Sequence, residues 1–229
     1  MADYIYNKSE QADDYNERGI SYFNVMQYED AVKEFTKAIK LVSDDPDLYH
    51  NRALAYYSLK MYNEAIKDCE KAISLDSTKG DYYNILGSIY DDIKKFDKAL
   101  DAFTNAIRIE SDVPDYYYNR GNVYMELKMF DKALEDYNMA VKLNSMDTIF
   151  LYKRAMLLDD LKRYDEALND LKNCIKISPN PEYFKYMAEI YEKQGKLNDA
   201  LNILKDAEKY SNDLKIKSMI KDLEERINS

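Results

Sequence analysis

The chain is poor in the residues that interrupt helices, cross-link folds or bind metals. Its 229 residues include no tryptophan, five glycines, four prolines, two cysteines and one histidine. Scarce glycine and proline favour an all-α protein over a turn-rich β fold. Because Cys69 and Cys174 lie far apart and outside any paired motif, a disulfide framework is not expected and a reducing cytoplasm is predicted.

Long apolar runs and long basic runs are also missing. No stretch approaches the length of about 20 apolar residues that a membrane helix needs. Residues 1–14 have neither the basic flank nor the apolar centre of a signal peptide. The formal net charge is −10, from 33 basic and 43 acidic side chains, which would repel a nucleic-acid backbone or an anionic membrane. The sequence therefore predicts a protein that binds neither nucleic acid nor membrane.

Residue patterns that carry catalysis are not found in the sequence. His50 is the single histidine, and neither cysteine lies near it in the sequence. We find no glycine-rich phosphate loop, no His/Cys zinc spacing and no nucleophile elbow. Asp91 and Asp92, and the equivalent pair at 159–160, are interpreted as solvated surface rather than metal ligands. The sequence thus predicts no catalytic residue, no metal and no cofactor.

Tyrosine is abundant, and it follows a repeat of 34 residues. Of the 23 tyrosines in the chain, many fall in columns separated by this step. An alanine column shows the period directly, with one step of 33: Ala31, Ala65, Ala99, Ala133, Ala167 and Ala200. A second column holds small residues: Gly19, Ala53, Gly87, Gly121, Ala155 and Ala188. A third holds mostly rings and leucine: Phe35, Cys69, Phe103, Tyr137, Leu171 and Leu204.

Spacing within each repeat predicts two helices. Tyr15, Gly19 and Tyr22 are separated by four and then three residues, which places them on one face of a first helix. Ala31 and Phe35 begin the same pattern on a second helix. A hairpin of this kind cannot bury its faces alone, so neighbouring hairpins are expected to stack. Asn or Asp, with one Glu, precedes each second helix and is expected to cap it: Glu29, Asn63, Asp97, Asp131, Asp165 and Asn198.

The pattern resembles the tetratricopeptide repeat (TPR) family. The stretch DYYYNRGNVYMELKMFDKALEDYNMAVKLNS, Asp115 to Ser145, is close to that family's general pattern, and the resemblance covers about residues 12–214. It predicts an all-α, right-handed α-solenoid of stacked antiparallel helix pairs. The predicted parts are an N-terminal extension (1–11), six TPR units (12–45, 46–79, 80–113, 114–147, 148–180 and 181–214) and a C-terminal capping helix (211–229).

The C-terminal end of the array carries an apolar stripe that suggests a cover, and the N-terminal end has no equivalent stripe. A stripe typical of a capping helix runs through the last segment: Leu214, Met219, Ile220, Leu223 and Ile227. At the other end, Tyr4, Ile5 and Tyr6 are expected either to lie over the first repeat or to be disordered. An uncovered first repeat would offer an edge for weak self-association, which keeps a structural, self-assembling protein open as the alternative function.

The resemblance implies an adaptor or scaffold whose first helices line a concave, peptide-binding groove. The implied partner is a protein, a peptide or a partner helix of basic or neutral character. Asn51 and Asn119 occupy the slot where an amide could bond a ligand backbone. Acidic chaperone tails are excluded, because only Asn51 fits the clamp that binds them and Asp81 would repel a carboxylate. The predicted groove residues are Asn51, Tyr57, Asn84, Asp115, Tyr118, Asn119, Asn122 and Tyr152.

Two charged columns have alternative interpretations. An acidic row could attract a basic peptide or could cap helix starts, and capping is favoured. It comprises Asp13, Asp47, Asp81 and Asp115. An arginine column could bind an anion or could pack its stems while the heads reach water or a neighbouring carboxylate, and packing is favoured. It comprises Arg18, Arg52, Arg120 and Arg154.

Overall fold

The structure is a computed structural model that describes residues 2–228, and side chains from residue 8 onward. Within that range the chain forms α-helices joined by short turns and no β-strand. The expectation for Tyr4, Ile5 and Tyr6 concerns side chains outside the described ones. The helices of residues 2–228 are α1 (Ala2–Asn24), α2 (Tyr28–Leu41), α3 (Pro46–Ser58), α4 (Tyr62–Leu75), α5 (Gly80–Asp92), α6 (Phe96–Ile109), α7 (Pro114–Glu126), α8 (Phe130–Leu143), α9 (Thr148–Asp160), α10 (Tyr164–Ile177), α11 (Pro181–Lys193), α12 (Leu197–Ala207) and α13 (Leu214–Asn228).

These helices divide into two compact units, an N-terminal unit (Met1–Leu127) and a C-terminal unit (Lys128–Ser229). In the N-terminal unit α1 packs on α2, α3 on α4 and α5 on α6, and each pair packs on the helix that follows. In the C-terminal unit α9 packs on α10 and α11 on α12, while α13 packs on α12. The predicted fold class, an all-α solenoid of helical hairpins, is therefore confirmed.

The small-residue column and the ring column meet inside the hairpins. Phe35 and Phe103, on second helices, are each 1% exposed. A Cβ atom added to Gly19 would lie 2.5 Å from the Phe35 ring, and one added to Gly87 would lie 2.7 Å from the Phe103 ring. The ring thus fills the space that a side chain on the first helix would need, so glycine permits the two helices to approach closely.

The closing helix α13 covers the last hairpin with a stripe that differs in part from the prediction. Ile220 and Leu223 are buried as expected, in one cluster with Phe184. Leu214 is 79% exposed, and the buried residue at this end is Ile216. The prediction was wrong for Leu214 because residues two apart on a helix point in nearly opposite directions, so Leu214 cannot share the face of Ile216, Ile220 and Leu223.

The first helices α3, α7, α9 and α11 begin at a proline or at a side-chain cap. Pro46 and Pro181 are the first residues of α3 and α11, where a missing N–H costs little. The residue before each one is a cap: the Asp45 carboxylate accepts the N–H of the second helical residue at 2.9 Å, and the Asn180 side chain does so at 3.0 Å. These bonds satisfy a backbone N–H group in the first turn of each helix.

The predicted caps of the second helices are wrong. Each helix begins two residues earlier than expected, so Glu29 and its equivalents are the second helical residue. The cap position holds Gln27 or an equivalent that makes no side-chain cap bond. The turn is set by the end of the first helix instead. Met26 has φ +61°, its N–H donates to Phe23, and the N–H of Gln27 donates to Tyr22. This is the Schellman pattern, which fixes the turn through backbone bonds alone.

Substitutions at the left-handed residues of these turns are expected to change the free energy of unfolding in opposite directions. Gly195 has φ +72° and a Cβ there would meet nothing within 4 Å, whereas Lys60 adopts φ +58° in the equivalent turn. Gly195→Ala is expected to lower the free energy of unfolding by about 1 kcal/mol, since only the backbone conformation is penalised. Lys60→Gly is expected to raise it by up to about 1 kcal/mol. Urea unfolding measures both, and a shift in the same direction for the two variants would contradict this account.

Candidate functional site

First helices of the N-terminal unit contact one another in succession, α1 with α3, α3 with α5 and α5 with α7. We call the surface formed by these four helices the first-helix face. Seven of the eight predicted groove residues lie on α3, α5 and α7: Asn51, Tyr57, Asn84, Asp115, Tyr118, Asn119 and Asn122. The eighth, Tyr152, lies on α9 of the C-terminal unit.

Asparagine side chains pair across neighbouring first helices. The Asn51 amide donates to the Asn16 carbonyl oxygen at 2.9 Å, and the Asn119 amide donates to the Asn84 carbonyl oxygen at 3.0 Å. All four side chains are half-buried. The prediction placed Asn51, Asn84 and Asn119 on this face but did not include Asn16 among the groove residues. In both pairs the two asparagines are 35 residues apart in the sequence. Columns read at a step of 34 residues do not bring such pairs together, so the pattern was missed.

The acidic row connects neighbouring repeats. Asp47 accepts the Tyr82 hydroxyl at 2.5 Å and the Lys79 ammonium at 2.7 Å. Partial burial alone would raise the pKa of Asp47, but the bonds from Lys79 and Tyr82 lower it. Since Asp45 is the cap of α3, the capping interpretation is wrong for Asp47.

The next member of the row has the same kind of partner. Asp81 on α5 accepts the Tyr116 hydroxyl of α7 at 2.7 Å, and Glu110 accepts the same hydroxyl at 2.8 Å. Burial first, and then these carboxylates, raise the pKa of Tyr116. The remaining members, Asp13 on α1 and Asp115 in the first turn of α7, are exposed.

Carboxylates and tyrosines gather where α3, α5 and α7 end. We call Asp91, Asp92 and Glu126 the acidic cluster. The Tyr62 hydroxyl lies 3.4 Å from the Asp92 carboxylate. The pKa of Tyr57 is raised, mainly because the side chain is partly buried and secondly because of the negative charge of Asp92. Burial also raises the pKa of Asp91. The positive charge of Lys94 opposes this rise, and the negative charges of Asp92 and Glu126 add to it. Oδ1 of Asp91 is buried and has no hydrogen-bond partner among the described residues.

The histidine and the cysteines have the character of packing residues. The His50 ring lies 5.1 Å from the Tyr82 ring, and burial lowers its pKa despite the nearby charges of Asp81 and Asp47. Cys69 and Cys174 are fully buried, and burial raises the pKa of each thiol to about 12. Such thiols remain protonated and unreactive near neutral pH.

The arginine column is tied to carboxylates, as the packing interpretation predicted. Arg52 binds Asp68 through two bonds of 2.7 and 2.8 Å, and Arg154 binds Asp170 in the same way at 2.8 and 2.7 Å. Arg18 lies 3.1 Å from Glu34. Each pair joins the first helix of a hairpin to its second helix. These three guanidinium groups therefore stabilise the hairpins rather than form an anion site.

Tyr152 belongs to an aromatic cluster in the C-terminal unit. Its ring lies 5.3 Å from that of Tyr183 and 5.8 Å from that of Tyr186. The Tyr186 hydroxyl donates to Asp159 at 2.7 Å, and the Lys193 ammonium binds the same carboxylate oxygen at 2.5 Å. The side chain of Asp159 is only 2% exposed. Its interpretation as solvated surface is therefore wrong, because the tyrosine and the lysine of α11 cover it.

Two kinds of feature are absent from the residues that the structure describes. No helix of residues 2–228 combines the length and the apolar character that crossing a bilayer requires. Among the described side chains, those of residues 8–228, no three of His, Cys, Asp or Glu come together in a group that could hold a metal ion.

Comparisons with known proteins agree with the fold. YrrB, described as a TPR protein with an unusual peptide-binding site, has 28% identity and a TM-score of 0.66 over 82% of this chain and 97% of its own. The pilF protein of Pseudomonas aeruginosa has 18% identity and a TM-score of 0.76 over 93% of this chain and 97% of its own, a likeness of fold alone. No curated protein matches the sequence.

Models of one repeat family match most of the chain. One model, described as tetratricopeptide repeat, matches residues 46–79 and 114–147. Another, described as TPR repeat, matches residues 27–60 and 87–128. A third, again described as tetratricopeptide repeat, covers residues 160–222. With helices paired as hairpins at the same period, the chain belongs to the tetratricopeptide repeat family.

Proposed function

We propose that this protein is an interaction module that binds an extended peptide segment along the first-helix face. TPR proteins generally mediate protein–protein interaction, and the fold is typically a non-enzymatic scaffold. The observation that carries the proposal is the pair of amide bridges, Asn51 with Asn16 and Asn119 with Asn84. Each bridge lies between two first helices on a half-buried surface, where a peptide could reach it.

Amide chemistry explains how such a surface binds a peptide backbone. An asparagine side chain has two N–H donors and an oxygen with two lone pairs. Each bridge uses one donor and one lone pair, and it holds both amides in a fixed orientation. The other donors and lone pairs can satisfy the N–H and C=O of a peptide in extended conformation. Half-buried Tyr57 and Tyr118 add contact area at low entropic cost. The described peptide-binding site of YrrB supports the same kind of ligand.

Binding rather than catalysis is favoured by the titratable groups. His50 has a lowered pKa through burial and packs on a tyrosine ring. Both thiols are fully buried. Neither arrangement offers a nucleophile beside a base. We therefore propose that the protein works without turnover and without a cofactor.

Self-assembly through the first repeat is not favoured by the residues on α1. The first helices that follow α1 have two columns of side chains buried against the preceding hairpin. Leu48 and Tyr82 belong to one of these columns, and Ile89 belongs to the other. The equivalent positions of α1 hold Asp14 and Ser21, and both are exposed. A second hairpin stacked on this surface would bury a carboxylate without a partner, which is costly.

Asn119→Ala tests the proposal. Peptides that bind the full chain are first selected from a random 12-residue display library. The variant is expected to bind them at least about tenfold more weakly, because one amide is lost and its partner Asn84 is no longer held in place. Its free energy of unfolding is expected to fall by about 1 kcal/mol or less, since the bridge is half-exposed. Titration calorimetry and urea unfolding give the two values.

Asn105→Ala is the matched control, because Asn105 is also half-buried but lies on the second helix α6. It should leave the affinity of the selected peptides unchanged. Equal losses of affinity in both variants would place the binding elsewhere. Failure of the library to yield any binding peptide would overturn the proposal.

A further inference from the structure

An exposed apolar stripe runs along α9 in the C-terminal unit. Ile149 is 57% exposed and Met156 is 37% exposed, and the Tyr152 side chain between them is half-buried. These residues are separated by three and then four positions, so they lie on one face of the helix. We call Ile149, Tyr152 and Met156 the α9 stripe. A contiguous exposed apolar surface on a soluble protein is typical of an interaction site.

The isoleucine of the stripe departs from the pattern of the repeat. Steps of 34 residues, and one of 33, connect its position with an acidic residue in every other unit: Asp13, Asp47, Asp81, Asp115 and Glu182. Ile149 does not serve the packing of its own unit, because more than half of the side chain remains exposed. It would be removed from water only by contact with a partner, and that burial would be favourable.

Tyrosines of α11 extend the apolar surface from α9 to its neighbour. The rings of Tyr183 and Tyr186 lie 5.3 and 5.8 Å from the ring of Tyr152, and both side chains are half-buried. Rings packed on one another in this way present their remaining faces and edges as one rigid surface. The surface open to a partner thus spans two first helices of the C-terminal unit.

This surface suits a helix better than an extended peptide. Its side chains are those of isoleucine, methionine and tyrosine, and none of them carries an amide. An extended backbone laid on it would leave N–H and C=O groups without partners, which is costly. A helix satisfies its own backbone groups. Since Ile149 and Met156 are seven residues apart, the stripe is about 10 Å long, which two turns of a partner helix would match.

The charges beside the stripe favour a basic partner. Burial raises the pKa of Tyr152, and the negative charges of Glu182 and Glu189 add to the rise, so both carboxylates lie near the stripe. Lys185 binds Glu182, whereas Glu189 is exposed and forms no salt bridge among the described side chains. The exposed cation of α9 is Lys153, which points about 100° away from Tyr152 and thus away from α11. A cation of the partner would complement Glu189.

We propose that the α9 stripe and the neighbouring tyrosines bind one amphipathic helix of a partner protein. The helix would place apolar side chains on Ile149 and Met156 and a lysine or arginine beside Glu189. Arginine would also stack on an exposed tyrosine ring. The stripe belongs to α9 and not to the first-helix face, so the inference goes beyond the proposed function and does not depend on it.

Peptides selected on the full chain from a display library of helices test the inference. The library has an alanine-rich framework of about 18 residues, which favours helix, and random residues on one face. The selected peptides are expected to share apolar residues three, four or seven positions apart, as in helix-in-groove binding, together with a lysine or arginine. Titration calorimetry gives their affinity for the chain and for its variants.

Neutral substitutions in the stripe test the apolar contact. Ile149→Asn and Met156→Asn should each weaken the selected peptides at least about tenfold, because apolar contact is lost without a change of charge. The fold should tolerate the second variant, since Asn122 holds the equivalent position in α7. Leu214→Asn is the matched control, because Leu214 is also exposed and lies in the first turn of α13. It should leave the affinity within about twofold.

Two further changes test the charge and the helix. Glu189→Gln should weaken the peptides about threefold or more at about 50 mM salt and less at about 300 mM, because an exposed ion pair is screened by salt. Glu135→Gln changes the net charge equally on the second helix α8 and should leave the affinity within about twofold. Proline placed at a solvent-facing position in the middle of a selected peptide should abolish binding, because it breaks the helix.

Several results would overturn the inference. They are a library that yields no binding peptide, full affinity in both Ile149→Asn and Met156→Asn, selected peptides without a shared basic residue, and binding that survives the proline. Dimerisation of the chain that Ile149→Asn abolishes, measured by analytical ultracentrifugation, would assign the stripe to a second copy instead. Loss of these peptides in Asn119→Ala would place them on the first-helix face. Because Asn119→Ala is expected to leave them bound, failure of this inference leaves the proposed function standing.

Discussion

Arg154→Met is expected to lower the free energy of unfolding by about 3–5 kcal/mol, because it leaves a buried carboxylate without its cation. The side chain of Asp170 is only 2% exposed, and both of its oxygens bond the Arg154 guanidinium. Methionine keeps much of the arginine stem's volume, so the loss reports on charge rather than packing. Urea unfolding followed by circular dichroism measures the change.

Two further variants separate charge burial from other causes. Asp170→Leu in the Arg154→Met background should recover most of the lost stability, since two apolar side chains can replace a buried ion pair. Arg18→Met breaks the equivalent pair with Glu34, but the Arg18 side chain is 56% exposed. Its expected cost is about 1 kcal/mol or less, the usual value for an exposed pair. Equal costs at Arg18 and Arg154 would show that burial does not govern these bridges.

The hairpins could be predicted from sequence because their signal is repeated. A single Ala31 or Phe35 says little, but the same residue types at the same step through six repeats leave few folds that bury them all. The turns could not be read in the same way. Glycine usually occupies the left-handed position after a helix. In the described part of the chain Gly195 is the one glycine that does so, and Met26 and four lysines occupy this position in the other turns. Without that mark, Glu29 and its equivalents looked like caps.

The site was predictable as a surface but not as a set of partners. The periodicity places Asn51 and Asn119 on first helices. It does not predict which side chain of the neighbouring first helix each of them contacts. That choice depends on the offset between neighbouring helices, which is 35 residues for both the asparagine pairs and the bonds of Asp47 with Tyr82 and Asp81 with Tyr116. One offset read from a single pair would have predicted the others.

Burial of charge was the least predictable feature. Asp91 and Asp159 fall in the same column and look like solvated helix ends in the sequence. In the structure Asp159 is covered by Tyr186 and Lys193, whereas the surroundings of Asp91 include Asp92 and Glu126. Identical residues in one column thus differ in their surroundings because the residues of the following repeat differ.

Gly87→Ala is expected to destabilise the N-terminal unit by about 1–3 kcal/mol, although alanine is the better helix former. The added Cβ would lie 2.7 Å from the Phe103 ring, which is 1% exposed and cannot move aside without displacing its neighbours. The steric cost therefore exceeds the gain in helix propensity of about 1 kcal/mol. Thermal and urea unfolding measure the change.

Phe103→Leu should rescue Gly87→Ala, because other repeats already contain the resulting pair. At the same separation of 16 residues the chain places Ala155 with Leu171, and Ala188 with Leu204. All four of these side chains are fully or almost fully buried. The double variant should thus be at least about 1 kcal/mol more stable than the sum of the single changes implies. Strict additivity would mean that the glycine and the ring do not share one space. Their co-occurrence in the first, third and fourth repeats would then have another cause.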